Sequence, residues 1–474
     1  HPEYPRQMYR YLRNRTLVRA LLDYAVSVGY VMDSMFETLY NTFVATPVLV
    51  KILGTLCFIL LLNSFLRRLG ISIAAGALLL ALWSGQTAGG TWTIAWARFS
   101  DIENISLLII VFQVIWLSNL MAKTNVMAEL VQAVRERVSH RTALAALPAI
   151  IGMLPMPGGA IFSAPLVDGC DTDGTIDPLL KTRINYWFRH VWEYWWPLYP
   201  GVLLAIEISG VDIWQFILIQ LPMSILAISI GAWFLLRSVH PPEDEPAKGA
   251  EHKTPLLPLL SPILTVVATY AITRIAFPAL SELTRYAPMI LGLCAGTAVL
   301  QMQRPLGKDD WRQVLMSRRT LVLAALVALV RIYGAFIEAE LPGGELLIDQ
   351  MRQEMAAWGI PVVVVIMAIP FFSGLATGLA VGFVGASFPI VFNLLGTDPA
   401  LAEVLPAILL AYGFGYMGMI LSPVHICLIV TNEHFKTRIF HSIRGLGLPA
   451  VTLLACVSAA YFFVRWLLAV VGAM

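Results

Sequence analysis

The chain has 474 residues, 58% of them hydrophobic and 13% charged, with a formal net charge of +2. That is too apolar and too sparsely charged for an ordinary soluble domain, and no basic patch with interleaved aromatics suggests a nucleic-acid partner. The expectation is a polytopic, all-α membrane protein whose main surroundings are the lipid bilayer.

In chain order, residues 1–46 come first, where "RNRTLVRALLDYAVSVGYVMDSMFETLYNTF" sets Arg15, Arg19, Asp23, Asp33 and Glu37 near one helical face. Leu17, Leu21, Val28, Met32, Met35 and Leu39 fall opposite, which makes an amphipathic helix that either lies along the interface or crosses it. The basic "RYLRNR" places the N-terminus in the cytoplasm, and no cleavable signal peptide is evident.

Apolar runs of about 20 residues, each long enough to span the hydrocarbon layer, follow at Pro47–Leu66, Ile105–Met121, Asp212–Leu236, Leu256–Phe277, Thr320–Ile337 and Pro449–Val471. With shorter segments counted, about 10–12 transmembrane helices are expected. Loop charges sort under one threading. Arg67 and Arg68, Lys123 to Arg141, Arg237 to Lys253, Arg304 to Arg319 and Lys436 to Arg444 fall on the cytoplasmic side, and "EAELPGGELLIDQ" falls on the other. Arg274 and Arg285 are the misfits, near the outer surface. The five cysteines, Cys57, Cys170, Cys294, Cys427 and Cys456, show no metal spacing and read as packing residues.

One pattern occurs twice. Ser163-Ala164-Pro165-Leu166-Val167 is answered by Ser387-Phe388-Pro389-Ile390-Val391, and Pro197 through Glu207 by Pro423 through Glu433, at offsets of 224 and 226 residues. Each copy follows a charged amphipathic segment, "KTNVMAELVQAVRERVSHRT" or "GGELLIDQMRQEMAAWG". Between the copies the sequence suggests five crossings, near 183–208, 213–236, 256–277, 286–302 and 320–338. An odd number inverts the second copy, and inverted repeats with interrupted helices mark a transporter with a site near the midplane.

The expected organisation is therefore a first repeat over 47–236, with a re-entrant hairpin at 148–168 and a broken helix near 195–201. A cytoplasmic linker at 237–255 leads to a second repeat over 256–444, with a hairpin at 369–392 and a broken helix near 421–426; a transmembrane helix at 445–474 closes the chain. Broken backbone at membrane depth is tolerated only where protein buries it or a wet cavity borders it.

Candidate substrate-binding residues follow from those breaks: Pro155, Pro157, Gly158, Gly159 and Ser163 at the first hairpin, Ser373, Thr377 and Gly378 at the second, and Tyr199, Ser422 and His425 at the broken helices. The glycines either form hairpin tips or allow close helix packing, and the serines either bind a ligand or bond their own helix. Arg189, His190 and Glu193 are candidate coupling residues, because ionisable groups inside a membrane are costly and usually functional. The alternative for Arg189 and Glu193 is a structural ion pair. Trp192, Trp195 and Trp196 read alternatively as an interfacial belt, Glu207 and Glu433 as solvated helix ends, and Arg331 and Glu338 as a pair within one helix.

"LPMPGGAIFSAPLV", the broken aromatic helix after it, and "GYMGMILSPVHICLIVTNEHF" resemble the integral membrane family called domain of unknown function 401, over roughly residues 45–474. That family is grouped with the ion transporter superfamily of citrate, gluconate, C4-dicarboxylate and arsenite carriers. The resemblance implies a scaffold domain, a mobile transport domain with two re-entrant hairpins, elevator-type alternating access and a homodimer. The sodium–dicarboxylate branch carries a Ser-Asn-Thr signature at its tips, whereas "PMPGGA" and "SGLATG" contain no Asn, which leaves the coupling ion open between Na+ and H+.

The functional expectation is a secondary active transporter of a small organic anion in a prokaryotic inner membrane, with no cofactor and no metal site. An inorganic ion antiporter of the same architecture is the alternative. A membrane-embedded enzyme is disfavoured because no H-E-x-x-H or comparable catalytic set occurs, and a channel because two opposed hairpins suit gating better than a continuous pore.

Overall fold

The computed structural model describes residues 40–153, 159–171, 174–239, 254–396 and 399–472, with Tyr24, Met32, Ser34, Met35, Glu37 and Thr38. Most of the N-terminal amphipathic segment, the linker from 240 to 253, and Pro155, Pro157 and Gly158 therefore lie outside the described residues.

The apolar runs become helices because a chain in hydrocarbon must satisfy its backbone internally. The first are α1 (Val48–Leu66), α2 (Leu69–Trp83), α3 (Ala88–Ser100) and α4 (Ile102–Lys123). Helix α5 (Val126–Arg135) is the short amphipathic segment, and α6 (His140–Gly152) and α7 (Ala160–Asp168), in the stretch expected to form the first hairpin, pack against each other. Next come α8 (Pro178–Arg189), α9 (Pro200–Ser209), α10 (Ile213–Gly231, continued as a π-turn to Leu236), α11 (Leu256–Ala276), α12 (Ala279–Leu283), α13 (Ala287–Gln303), α14 (Lys308–Leu315) and α15 (Arg318–Ile337). The amphipathic α16 (Leu347–Ala357) bends by 114° into α17 (Val362–Thr377). The chain ends with α18 (Ala380–Asn393), α19 (Leu401–Ile420), α20 (Ile426–Phe435) and α21 (Ile439–Gly472).

This is an all-helical, polytopic membrane protein. Among the described residues, seven helical stretches are long and apolar enough to cross a membrane, or eight if the bent pair counts as one. Four further helices among the described residues, α2, α9, α13 and α18, are apolar but only 15, 10, 17 and 14 residues long. The stretch 183–208, expected to be broken, is two helices, since α8 stops at Arg189 and α9 starts at Pro200. The last helix begins at Ile439 rather than 445.

The helices fall into two groups that also pack on each other, α15 on α18, α9 on α4 and α17 on α1. In the first, α15 packs on α2, α3 and α4, while α13 joins α4 to α11. In the second, α17 lies against α19, where a side chain at Gly374 or Gly418 would collide with the Gly415 or Phe371 carbonyl. The second group is cross-braced: α9, after the first break, packs on hairpin arm α18, and α20, after the second break, packs on arm α7 and on α8.

Both misfit arginines find acidic partners. Arg274 lies 2.7 Å from Asp212, and Arg285 pairs with Glu207, so neither leaves an unbalanced charge outside. Glu207 is not a solvated helix end: it is 6% exposed, lies 2.7 Å from Arg331 and accepts from the Tyr286 hydroxyl. Glu338 pairs instead with Arg98, which corrects the expected Arg331–Glu338 pair. Glu433, the repeat counterpart of Glu207, is exposed.

Candidate functional site

The first break spans residues 190–199, earlier and longer than the expected 195–201. Its freed carbonyls must find donors at membrane depth. The Tyr416 hydroxyl donates to the His190 carbonyl at 2.7 Å, Tyr412 to Glu193 at 2.6 Å, and Ser224 to Val191. In return the break supplies donors to the last turn of α6. Trp192 Nε1 donates to the Ala149 carbonyl at 2.8 Å, Trp196 Nε1 to Met153 at 3.0 Å, and the Tyr199 hydroxyl to Gly152. Trp192 and Trp196 thus cap a hairpin arm rather than form an interfacial belt, and they satisfy carbonyls that a helix end leaves open.

The second break, residues 421–425, falls where expected. Ser422 Oγ donates to the Leu375 carbonyl at 2.7 Å, which ties the break to α17. The turn of the second hairpin is Gly378-Leu379, with Gly378 at φ +61°, a left-handed conformation that favours glycine. A side chain on Gly378 would also meet the His425 backbone nitrogen at 3.0 Å. The hairpin arms start at Val362 rather than 369.

A cavity of about 100 Å³ sits where these pieces meet. Tyr199, Pro200 and Gly201 at the start of α9 line it, as do Leu379, Ala380 and Val381 at the start of α18, and His425, Ile426 and Cys427 at the start of α20. Arg189, Glu193, Met419, Leu323 and Leu326 complete the lining. Three helix N-termini, each with a partial positive charge, therefore border one space, although α9 begins with Pro200, which has no N–H, and its Val202 N–H bonds the Tyr199 carbonyl. Gly201 makes the convergence possible, since a side chain there would lie 2.7 Å from Ala380 Cβ.

The polar side chains are buried together. Arg189 is 2% exposed, His190 0%, His425 5% and Glu193 7%. His190 Nδ1 lies 2.6 Å from the Tyr186 carbonyl, which can only accept, so Nδ1 carries the proton of the neutral ring and Nε2 is an acceptor. Arg189 Nη1 donates to that Nε2 at 3.3 Å and to Cys427 Sγ at 3.2 Å, and His425 Nε2 approaches it at 3.1 Å. The Glu193 carboxylate is 3.9 Å from His190 Nε2. Arg189 therefore meets the histidine and the thiol, and the carboxylate reaches the same histidine from its own side.

His190, His425 and Cys427 present ligand atoms within 4.8 Å of one another, a spacing a metal ion would accept. The Arg189 guanidinium already lies on two of those atoms, so a cation there would sit against a fixed positive charge. The arrangement suits an anion better.

Of the sequence candidates, Arg189, Glu193, Tyr199 and His425 line the cavity, and His190 stands directly behind them. Gly378 and Ser422 shape the wall without lining it. Ser373, Thr377 and Ser163 are buried and are not among the lining residues. Thr377 donates to the Ser373 carbonyl at 2.7 Å, the self-bonding alternative for a helical hydroxyl. Gly159 is the N-cap of α7 and is buried. Cys427, read from sequence as packing, belongs to the site; its signal was its place two residues after His425 in the break. Leu323 and Leu326 carried no local signal, since they lie in an uninterrupted apolar helix 95 or more residues from either break.

No curated protein matches the chain. The family described as "Protein of unknown function (DUF401)" matches residues 49–464, which covers both hairpins, both breaks and every residue that lines the cavity. The chain belongs to that family.

Proposed function

We propose that this protein is a secondary active transporter of a small organic anion, coupled to protons or sodium, and related through its family to the ion transporter superfamily. The observation that carries this reading is the cavity on which three helix N-termini and the Arg189 guanidinium converge. Backbone N–H groups and a buried cation replace the water that a carboxylate loses on entering.

Two features support alternating access by an elevator movement. Leu323 and Leu326 come from α15, which packs with α2, α3 and α4, whereas every other lining residue comes from the hairpins, breaks and helices of the second group. A displacement of the second group along α15 would carry the site with it. The cross-braced packing of α9 on α18 and of α20 on α7 is the reciprocal exchange expected of two inverted repeats. On this reading the α6–α7 and α17–α18 pairs are re-entrant hairpins, and a homodimer in a prokaryotic inner membrane, with a cytoplasmic N-terminus, is the working unit. Glu193, His190 and His425 are the candidate proton carriers.

The test is a thermal-shift screen of purified protein against carboxylates, sugar acids and amino acids, at two pH values, with and without sodium. A ligand present at a hundred times its Kd stabilises the native state by about 2.7 kcal/mol. Binders then go into proteoliposomes under an imposed pH or sodium gradient. If no carboxylate stabilises the protein and neither gradient drives uptake, the transporter reading is wrong.

A further inference from the structure

We infer that the anion is a short monocarboxylate of about two to four carbon atoms, small enough for the observed cavity. The inference rests on the transporter reading above and narrows it to a substrate class.

Size is the first argument. An apolar protein cavity of about 150 Å³ accepts benzene, so the roughly 100 Å³ here holds about four heavy atoms, or a few more with modest adjustment of the walls. Acetate, propionate and pyruvate are of that size. Succinate, citrate and gluconate are not.

The lining is the second argument. Arg189 is the only Lys or Arg among the described lining residues, and three helix starts border the same space. The rest of the wall is largely apolar, with Leu323, Leu326, Met419 and Ile426. A second carboxylate would lie against these side chains or against the Glu193 carboxylate, and either contact penalises the ionised form. A sugar acid brings several hydroxyls that each need a partner, whereas the lining offers few side-chain acceptors, chiefly the Glu193 carboxylate and the oxygen of Tyr199, whose own proton goes to the Gly152 carbonyl. A short alkyl or keto-alkyl chain has no such need, and it covers the leucines.

The measurement is isothermal titration of detergent-purified full-length protein with acetate, propionate, pyruvate, butyrate, hexanoate, succinate, citrate and gluconate at one pH. Propionate or pyruvate should bind at least tenfold more tightly than hexanoate, succinate, citrate or gluconate. Leu326→Ala should move the preferred chain length upward by one or two carbons, and Leu323→Val, a milder change in the same wall, should move it in the same direction. Tighter binding of succinate, citrate or gluconate than of any monocarboxylate overturns the size argument while the anion-transporter reading stands. An unchanged chain-length preference in both folded variants overturns the assigned wall. Binding of none of these anions to monodisperse wild-type protein overturns both the inference and the reading it rests on.

Discussion

Replacing Glu207 tests whether the buried charges at the boundary of the two helix groups hold the observed arrangement together. Glu207 lies on α9 of the second group, while Arg331, Arg285 and Tyr286 belong to the first. The Glu207 and Arg331 side chains are only 3% and 9% exposed, so Glu207→Ala leaves the Arg331 charge in a poorly solvated place. Breaking a buried pair from one side typically costs about 3–5 kcal/mol. The Tyr286 hydroxyl also loses its acceptor, which adds about 1 kcal/mol. Arg285 contributes less, because 29% of its side chain is exposed and it can rehydrate. The expected loss is therefore about 4–6 kcal/mol, measured by reversible unfolding in mixed micelles and followed by tryptophan fluorescence. Glu207→Leu combined with Arg331→Met removes both charges and should recover more than half of it, a coupling that a double-mutant cycle reads directly. If Glu207→Ala stays within about 0.5 kcal/mol of wild type, the range usual for surface positions, the network is solvated and the argument fails.

Three further outcomes follow from the site and the threading. Gly378→Val forces a branched residue into a left-handed turn at a cost of about 1–2 kcal/mol and fills the space beside His425; substrate uptake should vanish while the protein still inserts and elutes as wild type, and retained uptake would mean that the tip does not approach the ligand. If a proton is the coupling ion, Glu193→Gln or His425→Gln should abolish accumulation driven by a pH gradient and leave substrate exchange largely intact; accumulation in both variants would make these residues structural. Single cysteines at Gly249 and Gly344, in a background without the native cysteines, should differ in labelling of intact cells by an impermeant thiol reagent, because the charge sorting puts them on opposite sides. Equal labelling would remove the basis for inverted repeats.

The sequence by itself determined what depends on neighbouring residues. Apolar runs fixed the helical, membrane-spanning class, because hydrocarbon leaves the backbone no other way to bond itself. Pro200, Pro423 and Gly378 marked the interruptions, since proline lacks a donor and glycine tolerates a positive φ. Arg189, His190, Glu193 and His425 stood out because charge is rare at that depth. Tertiary structure decided which of these residues meet and what else meets them. Ser373 and Thr377 look as suitable as His425 in sequence, yet both are buried and neither lines the cavity, although Thr377 Oγ1 lies 3.5 Å from the carbonyl of Leu379, which does. Cys427 enters the site only because Arg189, 238 positions earlier, is brought within 3.2 Å of it. Arg331 takes Glu207 of another helix in preference to Glu338 one turn-pair away, and Leu323 and Leu326 reach the cavity because α15 packs on α18. A local pattern constrains backbone conformation over a few residues, but the direction in which a helix turns its faces is set by all the surfaces it must cover at once.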